Sequence, residues 1–187
     1  MGNDMDFDTA RLRFREFDVD DLELLVRVNS NPEVMRYQSN GVPVPLSQKR
    51  EALAGIIRRY KEYPGLGIWP AFLRDNASYI GWFCLKPMGT SQEIEIGFRL
   101  LPAYWSKGYA TEGGQALLNY AFAQLKLNEV QAKVAVDNTA SIRFLEKLGL
   151  QRMHRGVDTS EVGDETFEVY LYQVANNVRL KTFDPLA

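Results

Sequence analysis

The chain has 187 residues, 45% of them hydrophobic, with 22 basic against 24 acidic side chains and a net charge of −2. A chain of that size buries enough surface to need no disulfide, and the balanced charge with no long basic run gives no support to a nucleic-acid footprint. One histidine and one cysteine, His154 and Cys84, are too few for a His/Cys zinc site, so no metal is expected.

No apolar run approaches the roughly 18 residues of a membrane span. The opening MGNDMDFD is acidic, unlike a secretory signal, and Asp6 stands where myristoylation wants Ser or Thr. The lone thiol fits a reducing compartment. The expectation is a cytoplasmic protein with no membrane partner. Residues 1–8 read as a loose tail and residues 9–187 as a single domain.

Arg11-Leu12-Arg13-Phe14-Arg15 alternates basic and apolar residues, which predicts a half-buried strand. Asp18, with Asp21 after it, predicts a helix cap; Leu22, Leu25, Val26 and Asn29 carry the helical spacing until Pro32 stops or restarts it. Ser47 is the predicted cap of the next helix, whose stripe is Leu53, Ile56, Ile57 and Tyr60 and whose end is Pro64-Gly65. Gly67 to Arg74 and Ser78 to Lys86 predict two strands, with Pro70 placing the first at an edge or bulge. A third runs from about Gln92 to Leu100 through Glu93-Ile94-Glu95-Ile96. Leu117, Leu118, Ala121, Phe122 and Leu125 line a long helix, Val130 to Val136 is a strand, Asp137 or Asn138 opens a helix ending at Gly149, and Thr166 to Val174 is the last strand. The order β-α-α-β-β-β-α-β-α-β-β is an α/β mixed sheet with helices packed on it. Trp69, Phe72, Tyr79, Trp82 and Cys84 read as core.

The stretch Tyr104-Trp105-Ser106-Lys107-Gly108-Tyr109-Ala110-Thr111-Glu112 joins a strand to that long helix. N–H groups at a helix start lack internal partners and favour an anion. Gly108 permits close approach, Lys107 adds charge, and Gly113, Gly114 and Ala116 permit tight packing behind. The stretch fits neither the Walker nor the dinucleotide fingerprint. On these residues alone, a phosphate loop and a glycine-eased loop with an exposed lysine both stand.

The same segment resembles the pyrophosphate loop of the GNAT superfamily of N-acetyltransferases, Gln/Arg-x-x-Gly-x-Gly/Ala, with Trp105 at the Gln/Arg position, Gly108 at the glycine and Ala110 at the final small residue. The Trp departs from the general pattern. It is usual in the branch that acetylates ribosomal-protein N-termini, the RimJ/RimL type, where Trp-x-Lys-Gly-Tyr-Ala-Thr-Glu is typical. Thr9 to Glu16 with Asp20-Asp21-Leu22, Asn31 to Met35, Ile96 to Leu100 and Asn138 to Leu150 resemble further segments of that branch, in the same order, so that nearly the whole chain is covered.

The resemblance implies a mostly antiparallel sheet with one splayed parallel strand pair and helices on both faces. It implies acetyl-CoA as donor and a primary amine, on a small molecule or a protein N-terminus, as acceptor. Backbone groups near Phe98 and Leu100 would bond the pantetheine arm, and residues 105 to 111 (Trp105, Ser106, Lys107, Gly108, Tyr109, Ala110, Thr111) would hold the pyrophosphate. Asn138 would reach the arm with its amide, or simply cap its helix. Many relatives have a Tyr acid where this chain has Leu145, beside Phe144; the matching hydroxyl here is Ser141, with Tyr104 and Tyr109 in reserve. Glu93 and Glu95 read as sharing one strand face, where either serves as base through water or simply faces solvent; Glu95 is preferred. Acceptor choice is expected in residues 29–64 and in a loop from about His154 to Glu165, made acidic by Asp158, Glu161, Asp164 and Glu165. A monomer or homodimer is the family expectation. A CoA-holding module without turnover is the alternative reading.

Overall fold

The computed structural model describes residues 7–89, 91–160 and 164–176. Its elements are β1 (Leu12–Phe14), α1 (Leu22–Asn29), α2 (Pro32–Ser39), α3 (Leu46–Glu62), β2 (Gly67–Leu73), β3 (Tyr79–Pro87), β4 (Ile94–Leu100), a 3₁₀ turn (Pro102–Tyr104), α4 (Tyr109–Ala123), β5 (Glu129–Ala135), α5 (Thr139–Lys147), β6 (Gln151–Thr159) and β7 (Thr166–Ala175). Among the described residues no helix is long and apolar enough to cross a membrane.

The strands form one seven-stranded sheet in the order β1-β2-β3-β4-β5-β7-β6. Every neighbouring pair is antiparallel except β4 and β5. The expected mixed sheet with helices on both faces is therefore present. Alternation along the strands divides the core. Leu12, Phe14, Phe83, Leu85, Ile96 and Leu100 pack with Leu117 and Leu118 of α4 and Phe144 and Leu145 of α5. Phe17, Trp82 and Cys84 pack on the other face with Leu25 and Val28 of α1 and Leu53 and Ile56 of α3. Trp69, Tyr79, Trp82 and Cys84 are all buried, and Phe72 is partly so.

Several local expectations shift. Pro32 restarts the chain as a separate helix: Asn31 Oδ1 accepts from the N–H groups of Glu33 and Val34 at 3.0 and 3.3 Å, and proline is pre-set for a first helical position. The first helix begins after Asp21 rather than Asp18, because Asp21 Oδ2 accepts the Asp18 N–H at 2.7 Å and closes a turn before it. Ser47 does not cap α3, which already starts at Leu46 behind Pro45 with no side-chain cap. Glu93 precedes β4 and lies in a turn with Ser91. Pro70 sits where β1 has ended, so it removes no bond on that side, and a register shift follows between Ala71 and Phe72.

Of the expected tail, residues 1–6 lie outside the described residues. Phe7 is buried, 4.9 to 5.1 Å from the rings of Phe14, Trp69 and Tyr120. Asp8 accepts from the Phe14 N–H at 2.8 Å. Phe7 thus belongs to the core, and Asp8 supplies a bond to β1. His154 begins no loop: residues 151–159 are strand β6, paired along β7, with His154 exposed.

Candidate active site

β4 and β5 share a single register pair, Glu95 with Gln131. Toward Leu100 and Ala135 the two parallel strands part, although β3 stays paired with β4 as far as Leu100 and β7 with β5 as far as Ala135. The β5-facing edge of residues 97–100 is thereby left without a strand partner. Phe98 lies at this opening. Its ring meets Phe144 of α5 edge-on at 4.5 Å and stacks on Phe83 at 5.8 Å.

The chain leaves β4 and turns onto α4. Trp105 Nε1 donates to the Leu100 carbonyl at 2.7 Å, which pins the loop to the strand end and commits one lone pair of that carbonyl. The indole stays 41% exposed. Ser106 and Gly108 both adopt left-handed backbone, with φ of 58° and 81°. Gly108 flanks α4 with no side-chain cap, so the first-turn N–H groups of Tyr109, Ala110 and Thr111 carry no capping acceptor. The first helical bond runs from the Glu112 N–H to the Gly108 carbonyl at 3.0 Å. Lys107 is exposed, its ammonium 5.8 Å from the Tyr104 ring centre. A helix start of this kind has the chemistry to hold an anion. Gly113 and Gly114 let it sit low: a Cβ at Gly113 would lie 2.5 Å from the Phe83 ring, and one at Gly114 2.8 Å from Phe144 and Leu148.

Across the gap, Asn138 stands at the start of α5, where its Oδ1 accepts from the Ser141 N–H at 3.1 Å. The capping role is thus real, and the amide Nδ2 makes no bond among the described residues. Ser141 is partly buried, while Leu145 and Phe144 turn into the core. Leu145 therefore serves as packing.

Glu95 is partly buried and forms an ion pair with Lys86, its register partner on β3. Burial acts to lower the Lys86 pKa, and the neighbouring Cys84 and Glu95 outweigh it, so the ammonium is held above the ordinary lysine value. Burial pushes the Cys84 thiol up to about 12, which leaves it an inert hydrophobe. Beside Glu95, Gln131 is buried; its Nε2 donates to Glu129 and its Oε1 has no partner among the described residues.

On the face that carries α1 to α3, the two segments expected to choose the acceptor come together. Asn40 donates to the Glu165 carboxylate at 2.5 Å, and Ser160 Oγ to the Gln38 carbonyl at 3.2 Å. Arg99 of β4 reaches Asn29 at 2.9 Å and Gln38 at 3.3 Å. Glu161 lies outside the described residues, and Asp158 pairs with Lys133.

Sequence reasoning missed one part of the site. Glu112 is buried and bound to Thr9 and Arg11, across about 100 positions of sequence. An alternating Arg-Leu-Arg signals a strand but not what its first arginine meets.

Comparison with known proteins agrees with this fold. The family described as Acetyltransferase (GNAT) domain matches residues 11–151. The FsC-acetyl coenzyme A-N(2)-transacetylase of Aspergillus fumigatus is 29% identical over 172 residues, covering 86% of this chain and 72% of its own. The uncharacterized N-acetyltransferase YnaD of Bacillus subtilis is 28% identical over 170 residues, covering 91% of this chain and 96% of its own. Among solved structures, a GNAT-family acetyltransferase from Bacillus anthracis aligns with a TM-score of 0.73 at 28% identity over 90% of this chain and 96% of its own. A spermidine N-acetyltransferase from Vibrio cholerae in complex with CoA and spermine shares the fold, with a TM-score of 0.71 at 18% identity over 90% of this chain and 97% of its own. The chain belongs to the GNAT acetyltransferase family.

Proposed function

We propose that this protein transfers the acetyl group of acetyl-CoA to a primary amine, by direct attack within a ternary complex. The observation that carries the reading is the parting of β4 from β5 beside an uncapped α4 start. The gap fits an extended arm, and the helix start fits a pyrophosphate.

In this reading Ser106 to Thr111 hold the pyrophosphate, with Lys107 adding charge and Trp105 fixing the loop. The free edge of Phe98 to Leu100 bonds the arm as a strand would, and the Asn138 amide Nδ2 donates to it from the far side. Backbone N–H groups on that edge stabilise the oxyanion as the amine nitrogen bonds to the acetyl carbon. The carbon–sulfur bond then breaks. A thiolate leaves, of pKa about 8.5 in its free form, and its reprotonation is aided by Ser141, directly or through water. The amine must first lose a proton, and Glu95 takes it through water. Glu95 is tied to Lys86, and a strong base is unnecessary only for an amine of low pKa, such as a peptide N-terminus at about 7.7–8.0. That favours the RimJ/RimL type of acceptor over a polyamine. The proposal extends to a cytoplasmic protein folded as one domain, monomer or homodimer.

The second reading, a CoA-holding module without turnover, draws on Leu145, which occupies the core where many relatives place a tyrosine. Amine-dependent release of the CoA thiol separates the two. A panel of peptides and small amines that yields thiol above the hydrolysis rate supports the enzyme. Tight CoA binding with no release against any amine supports the module.

A further inference from the structure

Glu112 sits in the first turn of α4 and is only 4% exposed. A carboxylate there suits the helix dipole but stands close behind the place where a second anion is to bind. Its charge is met by a dedicated set of donors. Thr9 Oγ1 lies at 2.5 Å, the Arg11 N–H at 3.0 Å and Arg11 Nε at 2.5 Å. The same guanidinium continues along the loop. Its Nη1 donates to the Lys107 carbonyl at 3.2 Å, and its carbon lies 4.6 Å from the Tyr109 ring centre. Its Nη2 occupies the side of Gly108 on which a Cβ would project, 3.3 Å from that point. One side chain from just before β1 thus touches residues 107, 108, 109 and 112.

We propose that Arg11 is a positioning residue of the phosphate-holding loop, cancelling the buried charge of Glu112 and fixing the Lys107–Gly108 turn so that the α4 N–H groups face an incoming phosphate. The inference rests on the acetyl-CoA reading above and adds a residue to it. Without the guanidinium, the turn loses its tie through the Lys107 carbonyl, and an unpaired carboxylate faces the phosphates from one helical turn away. Lysine restores the charge but cannot bond Glu112 and the Lys107 carbonyl as a planar fork does.

The test is calorimetric titration of the full-length chain with CoA, which needs no turnover. Wild type, Arg11→Lys, Arg11→Met and the double variant Arg11→Met with Glu112→Gln are compared, each checked by circular dichroism. Arg11→Met is expected to weaken CoA at least 10-fold, and Arg11→Lys about 2- to 5-fold. The double variant is expected to recover a large part of the loss, because the offending charge is gone. The acetyl-CoA KM rises with the Kd, and kcat falls less than KM rises. If Arg11→Met fails to fold, the Arg11→Lys shift at unchanged melting temperature decides. Binding within 2-fold of wild type in the arginine variants, or a double variant weaker than Arg11→Met, overturns the proposal. Failure of the wild type to bind CoA overturns the reading beneath it as well.

Discussion

Glu95 and Gln131 form the one register pair between β4 and β5 among the described residues, so the glutamate proposed as base stands at the root of the gap rather than along it. Its carboxylate pairs with Lys86, and its register partner Gln131 carries a buried side chain. Glu95→Gln is expected to lower kcat by about 10²- to 10⁴-fold with CoA affinity unchanged. Steady-state kinetics with calorimetry measures both. A kcat within 2-fold of wild type would remove Glu95 from the proton path.

Ser141 and Asn138 separate chemistry from binding. The Ser141 backbone N–H, not its hydroxyl, meets Asn138. Ser141→Ala therefore keeps the cap, and the expected result is a kcat loss of 10-fold or more at constant CoA affinity and constant melting temperature. Asn138→Ala removes the cap and costs about 1 kcal/mol of stability along with CoA affinity. Thermal melts beside kinetics distinguish the two patterns.

Glycines of helical segments divide by what lies beyond them. A methyl at Gly113 would press into Phe83, whereas one at Gly55 meets nothing within 4 Å. Gly113→Ala is expected to destabilise by about 1–3 kcal/mol through overpacking. Gly55→Ala in the middle of α3 is expected to stabilise by about 0.5–1 kcal/mol. Urea denaturation gives the opposite signs directly.

Lys49 of α3 is 4% exposed, and its ammonium meets Ser30 Oγ at 2.5 Å. No carboxylate pairs with it among the described residues. Burial lowers its pKa. The folded state thus disfavours the charged form, and stability is lost as pH falls from the ordinary lysine value of about 10.4 through the lowered folded value. Lys49→Met is expected to raise stability at pH 7 and to abolish that part of the alkaline pH dependence. Melting curves from pH 7 to 10.5 test it; a destabilised variant contradicts the account.

Much of the architecture was legible because periodicity reports local burial. The alternation of Ile94 and Ile96 and the stripe of Leu117, Leu118 and Ala121 both survive as core contacts. Helix starts were less legible. Asp18 and Ser47 have capping chemistry, but Asp21 and Pro45 flank the helices, because turn bonds and proline geometry decided first. The glycine-led start of α4, proposed to hold an anion, followed from Gly108 and its helix. What holds that loop did not, since the pairing of Arg11 with Glu112 depends on β1 lying beside the start of α4, a tertiary fact. Glu93 illustrates the same limit: only the strand boundary removes it from the face that Glu95 shares with Arg99.

In the proposed reading, the parted strands and the α4 start together hold acetyl-CoA. Calorimetric titration of the wild-type chain with acetyl-CoA, with ATP as comparison, tests it most directly. The account predicts saturable one-to-one binding of acetyl-CoA and none of ATP at the same concentrations. Absence of saturable acetyl-CoA binding, or ATP bound more tightly, would contradict it.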